Sequence, residues 1–166
     1  MLIYETNLHP STRAAFVEKV KNISQKLGID PDWLMGVMWQ ESRLRPNAKN
    51  SISGATGLIQ FMPNTAQSLG TTTQQLAAMD AVTQLDYVYK YYTPYSGQIH
   101  SFADTYFVTF FPAAIGKPDD WVLQTGSLSA GKIAAQNNIY DVNRDGKLTV
   151  AEVKSKLPNI DALKKK

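Results

Sequence analysis

A glutamate that continues an apolar helical stripe, followed at once by a loop punctuated with proline and glycine, constrains this chain more than any other feature. Asp30 suits a helix N-cap and Pro31 a first helical turn, and Leu34, Val37, Met38 and Glu41 then recur at helical spacing on one face. A carboxylate beside Val37 and Met38 loses hydration, which disfavours its charged form and raises its pKa toward the range of a general acid. In isolation, such a glutamate is more often a solvated helix end or half of an ion pair. The residues after it change that balance. Pro46 stops helical continuation, and Gly54, Ala55 and Gly57 are small enough to bring backbone close to a ligand or another segment. Leu58, Ile59, Phe61 and Met62 then add apolar mass around the single polar side chain of Gln60, as suits the floor of a groove.

Taken together, Glu41-Ser42, Pro46, Ala48, Ser53-Gly54-Ala55, Gly57-Leu58-Ile59-Gln60 and Met62-Pro63-Asn64-Thr65-Ala66 resemble, in order and without a gap, the signature of the soluble lytic transglycosylases. That family has a lysozyme-like fold close to the goose-type lysozymes. The resemblance implies a mainly α, lysozyme-like domain that cleaves the MurNAc–GlcNAc β-1,4 bond of peptidoglycan with Glu41 as the one catalytic acid/base. It also implies substrate-side roles for Ser42, Ser53, Gly57 and Gln60. Ser42 is placed to orient the glutamate or the N-acetyl group of the sugar, and Gln60 to bind the sugar together with backbone near Gly57. Further along, the family usually carries an Ala-Tyr-Asn sequence; this chain has Asp104-Thr105-Tyr106-Phe107 instead. Tyr106 is the candidate for the family's tyrosine, and the asparagine has no counterpart.

Length and charge set wider bounds. A chain of 166 residues fits one ordinary domain with a small appendage. A net charge of +3 and a pI near 9.0 suit an anionic wall polymer, but equally suit many proteins without a polyanionic partner. No basic patch with interleaved aromatics appears, so nucleic acid is not expected as a partner; the expected partner is the peptidoglycan glycan strand, met by a monomer. The absence of cysteine removes disulfides and thiolate metal sites. No stretch is apolar enough to span a bilayer, and MLIYETNLHP lacks the basic start and hydrophobic core of a signal peptide. Action in the periplasm or at the cell wall would then need another route of export. Phage-borne wall enzymes, by analogy, reach the wall by release from the host cell or on the virion.

Around the central stretch the pattern is helical. Ser11 is placed to cap a first helix with the stripe Phe16, Val20, Ile23 and Leu27, ended by Gly28. Pro63 starts a short helix closed by Gly70, and a run from Thr73 breaks near Asp80 before Val82, Leu85, Val88, Tyr89 and Tyr92 resume a stripe. Tyr87 and Tyr91 lie one turn apart on a different face, where exposed rings would stack on sugars, although aromatic helices are more often core. Trp33 and Trp39 are expected in the core as well. The apolar segment SFADTYFVTFFPAAIGKP predicts a buried helix and a turn, and residues 127–138 a further short helix. A β-hairpin over residues 51–57 is compatible with the pattern.

The last third carries DVNRDGKLTVAE, residues 141–152, which fills the calcium-loop pattern. Asp141, Asn143 and Asp145 supply oxygens, Gly146 the sharp turn, Lys147 its carbonyl, Thr149 a direct or water-borne contact and Glu152 a bidentate carboxylate. The loop resembles an EF-hand, with Leu148 at the usual apolar position. It occurs once, whereas EF-hands usually pair, so a structural calcium that pins the C-terminal segment is expected, with Val150, Val153 and Leu157 docking the exit helix. Lys164, Lys165 and Lys166 read as a solvated tail. The expected division is a catalytic domain over residues 1–126 and a calcium-bearing helical segment over 127–166.

Glycosidases usually work with two carboxylates. Asp80, Asp86 and Asp104 are present, but no spacing ties any of them to Glu41. The transglycosylase resemblance resolves the shortage, because those enzymes use the C6 hydroxyl of MurNAc as nucleophile and form a 1,6-anhydro end. Two other readings stand beside it: a muramidase that uses water with Asp86 or Asp104 as base, and a noncatalytic wall-binding module.

Overall fold

In a computed structural model that describes residues 1–164, the helical class expected from the sequence is what forms. Among the described residues the only β pairing is a set of isolated bridges. The chain divides into two compact units, one made of Met1–Gly97 with the chain from Ile160 onward, the other of Gln98–Asn159.

The first unit is built on α1 (Pro10–Leu27), α2 (Pro31–Ser42), α3 (Pro63–Ser68), α4 (Thr73–Ala78), α5 (Ala81–Tyr92) and α9 (Ile160–Lys164). α1 packs on both α2 and α5, and its expected stripe of Phe16, Val20, Ile23 and Leu27 is buried. Fully enclosing side chains of this size is worth about 1.5–3 kcal/mol each, so this stripe holds the layer together. α1 starts one residue before the expected cap: Pro10 takes the first helical position, and the His9 ring accepts the Ser11 N–H. Gly28 closes the helix at φ 72, as a left-handed terminus requires.

α2 is capped as the sequence predicts, the Asp30 carboxylate accepting the Asp32 N–H at 2.9 Å. Leu34, Met35, Val37 and Met38 are all fully buried, so α2 is a core helix rather than an amphipathic surface one. Its N-terminus is also a junction. Asp32 accepts the backbone N–H of Ile3 at 2.8 Å, and Lys164 on α9 forms ion pairs with Asp30 and Asp32. Lys164 is therefore not part of a solvated tail; Lys165 and Lys166 lie outside the described residues.

The break near Asp80 is present: its carboxylate accepts from the Thr83 N–H and hydroxyl and so caps α5. Trp33 and Trp39 are half-buried rather than core. Trp39 is covered on the outside of α2 by the Tyr4 ring, stacked at 4.7 Å, and by the Arg43 guanidinium at 5.0 Å.

The second unit contains α6 (Phe102–Phe110), α7 (Ala130–Gln136) and α8 (Val150–Ser155). Phe107, Val108, Leu123, Ile133, Leu148, Val150 and Val153 are buried in it. α8 ends at Ser155, before Pro158, and Leu157 is only half-buried. The sequence reading divides the chain between residues 126 and 127, where composition changes. By packing, the chain leaves the first unit at Gly97 and rejoins it at Ile160, because α9 packs on α2.

Replacing Asp30 with alanine removes both the α2 cap and the Lys164 ion pair. The exposed pair is worth little, so a loss of about 1 kcal/mol from the cap is expected in urea denaturation. An unchanged midpoint would show that the Asp30 carboxylate does not hold this junction.

Candidate active site

Glu41 occupies the last turn of α2, half-buried, one residue before the buried Ser42. The helix closes sharply behind them, because two consecutive non-glycine residues, Arg43 at φ 55 and Leu44 at φ 61, adopt left-handed conformations. The Leu44 N–H donates back to the Met38 carbonyl and the Arg43 N–H to the Trp39 carbonyl, which satisfies the helix end. Left-handed conformations cost non-glycine residues about 1–2 kcal/mol each. Burial of Leu44 and the stacking of Arg43 on Trp39 offset that cost here. The turn comes before Pro46, so left-handed backbone and not proline ends the helix.

The segment after the turn folds on itself. Gly57 N–H donates to Ala48 carbonyl at 2.8 Å, and Thr56 and Phe61 exchange both backbone bonds, at 2.9 and 2.8 Å. Single bridges result, Lys49 with Thr56 and Thr56 with Phe61, instead of the hairpin over residues 51–57 that the sequence allows. Gln60 sits at φ 58, and its amide nitrogen donates to the carbonyls of Ala48 and Gly57, both at 3.0 Å. Ser53 lies on the exposed tip, its hydroxyl accepting the Ala55 N–H at 3.2 Å. The Ser42 hydroxyl is buried between the Met38 carbonyl at 3.0 Å and the Leu58 carbonyl at 2.9 Å, so its single hydrogen is already engaged.

Opposite the loop stands α5. Gln84, fully buried, accepts the Leu58 N–H at 2.6 Å and donates to the carbonyls of Pro46 at 2.8 Å and Leu76 at 2.9 Å. A Cβ on Gly57 would meet the Gln84 oxygen at 2.5 Å, so Gly57 is required by this approach as well as by its φ of 93. The sequence reading passed over Gln84. The signal was the one that picked out Glu41: a polar residue four positions before Val88 on an apolar helix face.

Two turns beyond Gln84 come two tyrosines within electrostatic range of Glu41. Burial first, and then the neighbouring Tyr95 and Glu41, push Tyr91 up to about 12. Tyr92, fully buried, is raised well above the usual phenol range by burial, with smaller contributions from Tyr91 and Glu41. Tyr91 also sets its ring edge to face with Phe61 at 6.1 Å, so loop, helix α5 and Glu41 converge on it. Tyr106, the tyrosine expected from the sequence, lies in the second unit, buried, with its hydroxyl 2.6 Å from that of Tyr140 and its ring against Phe110. The aspartates considered as second carboxylates each have local partners. Asp80 caps α5, Asp86 is exposed and paired with Lys19 at 3.0 Å, and Asp104 accepts the His100 N–H at 2.9 Å.

In the second unit the residues of the expected calcium loop are gathered. One carboxylate oxygen from each of Asp141, Asp145 and Glu152 lies within 4.8 Å of the others. Gly146 makes the turn at φ 80, and Asp141 accepts the N–H groups of Asp145 and Gly146. Thr149 and Glu152 form a capping box that starts α8. Leu148, fully buried, has its carbonyl bound by the Leu123 N–H at 2.8 Å, and the Val150 N–H donates to the Trp121 carbonyl at 3.0 Å. The stretch Trp121–Leu123 thus pairs with the end of the loop.

Because burial holds the Tyr91 and Tyr92 phenols neutral, the folded state binds their protons more tightly than the unfolded chain. The stability this represents is complete below pH 10 and is lost as the pH rises toward 12 and beyond. At about 1.4 kcal/mol per pH unit, Tyr91 alone accounts for a fall of up to about 3 kcal/mol across that window. Alkaline denaturation of Tyr91→Phe, compared with the unaltered chain, should show a shallower fall; identical curves would place the phenol in water.

Compared with known families, residues 18–94 match the model described as the transglycosylase SLT domain, a span that includes Glu41, the loop and α5. No curated protein and no solved structure gives a significant match. The segment that carries Glu41, the Gly57–Gln60 turn and Tyr91 is thus similar to the transglycosylase SLT domain family, which indicates peptidoglycan cleavage at the level of the family.

Proposed function

We propose that this protein is a lytic transglycosylase that cleaves the MurNAc–GlcNAc β-1,4 bond, with Glu41 as acid and then base. The observation that carries this reading is the setting of Glu41: one half-buried carboxylate at a sharply closed helix end, beside Tyr91 and Tyr92, while Asp80 and Asp86 serve a cap and an ion pair. Protonated Glu41 donates to the glycosidic oxygen as the bond from C1 to that oxygen breaks. The resulting carboxylate takes the proton of the C6 hydroxyl as that oxygen bonds to C1, giving a 1,6-anhydroMurNAc end. No second carboxylate is needed, which is the ground for preferring this outcome to hydrolysis by water. Ser42, Ser53, Gly57 and Gln60 are the substrate-side residues of this reading, Ser42 and Gly57 acting through the shape of the loop. The substrate places the site of action at the cell wall, and among the described residues no helix is long and apolar enough to cross a membrane.

The same reading gives the second unit a calcium ion. The clustering of Asp141, Asp145 and Glu152, with Gly146 at its turn, fits a hard divalent cation held by oxygens. Asn143, the Lys147 carbonyl and Thr149 would complete the set. The ion would supply charge compensation for three carboxylates and brace the second unit; it takes no part in the glycosidic step.

Glu41→Gln should abolish release of muropeptides from purified peptidoglycan while the circular dichroism spectrum stays that of the unaltered chain. Residual activity at about a tenth of the original or more would remove Glu41 from the acid/base role. Mass analysis of the products separates the outcomes, since anhydro ends are lighter by one water than reducing ends. Calcium should raise the melting temperature and a chelator should lower it again, an effect absent in Glu152→Ala. Equal melting temperatures with calcium and with chelator would remove the ion from the second unit.

A further inference from the structure

The catalytic reading assigns no task to Gln84, yet this side chain is fully buried and hydrogen-bonded. Its three hydrogen bonds each reach backbone of a different segment. Pro46 lies at the start of the loop, Leu58 at its inner turn, and Leu76 in α4. Leu58 is held from both sides, its N–H by Gln84 and its carbonyl by the hydroxyl of Ser42, the residue next to Glu41. Gly57 has no side chain, which lets Gln84 come this close. On α5, Gln84 precedes Tyr91 by seven residues, two helical turns along the same face.

We infer that Gln84 is a positioning residue for the reaction: it fixes the register of α5 against the Gly57–Gln60 turn, so that loop, Tyr91 and Glu41 meet in one arrangement. The inference rests on the transglycosylase reading for its kinetic consequence and on hydrogen bonds alone for its structural one. Each of the three bonds is directional, and a fully satisfied buried amide admits few alternative arrangements. Apolar packing by Leu85 and Val88 on the same helix holds α5 in place but tolerates small slips. A slip of about 1 Å can cost about a hundredfold in rate.

The test uses Gln84→Met, which keeps the volume and removes all three bonds, and Gln84→Glu, which keeps the acceptor for the Leu58 N–H. Circular dichroism and a melting curve establish a temperature at which each variant is fully folded. There, Q84M should lower kcat about a hundredfold with KM changed less than about threefold, and Q84E should lose less. The Leu58 amide should exchange faster with solvent in Q84M and remain protected in Q84E. Tyr91, followed by NMR of ring-labelled tyrosine, should titrate closer to an ordinary phenol in Q84M. A folded Q84M with kcat within about twofold of the unaltered protein, or with Leu58 exchange unchanged, overturns the inference. If Q84M does not fold, unchanged kcat in Q84E together with loss of Leu58 protection does so. Should the unaltered protein cleave no peptidoglycan, the catalytic reading falls by itself, and Leu58 exchange in Q84M still decides whether Gln84 holds the loop.

Discussion

Buried backbone that lies outside helices and sheets must find hydrogen-bond partners, and this requirement governs the first unit. The loop after Glu41 is drawn against α2 and α5 by Leu58, Ile59 and Phe61, and that burial takes its peptide groups out of water. With no sheet ladder to receive them, the groups are met by side chains: Gln84 and Ser42 at Leu58, and Gln60 at Ala48 and Gly57. Leaving one such group unpaired costs about 1–3 kcal/mol, so each of these polar residues sits in a place that apolar packing alone would not select. The site's shape therefore follows from hydrogen bonding around an apolar core, and Glu41 is held in register with that shape by its neighbour Ser42.

Much of this was legible before any coordinates. The α1 stripe, the Asp30 cap, the Asp80 break and the continuation of the α2 stripe by Glu41 follow from spacing and capping chemistry, because they depend on residues a few positions apart. What spacing cannot report is which polar residue on an apolar face meets which segment in space. Gln84 contacts Pro46 and Leu58 across long separations in the sequence, and its place on an apolar helix face does not say which segments it meets. For the same reason the sequence weighed Tyr91 between sugar platform and core without locating it, whereas the fold sets it against Phe61 and within electrostatic range of Glu41. Arg43 and Leu44 show the opposite failure: propensity argues against left-handed backbone at both, and tertiary packing overrides it.

In the second unit, the loop over residues 141–152 is met along one edge by ordinary chain. Backbone from Trp121 to Leu123 pairs across Leu148 and Val150, which satisfies the loop's edge and buries Leu148.

The return of the chain to the first unit at Ile160 has a consequence for how the molecule comes apart. With α9 packed on α2 and Lys164 paired to Asp30 and Asp32, both ends of the segment from Gln98 to Asn159 are moored in the same body. If that segment melts first, it becomes a long closed loop instead of a loose end. Closing a loop costs only about 0.6 kcal/mol more for each doubling of its length. The length of the molten segment thus adds little to the entropy of the closed loop, whose ends stay fixed as long as α9 stays on α2.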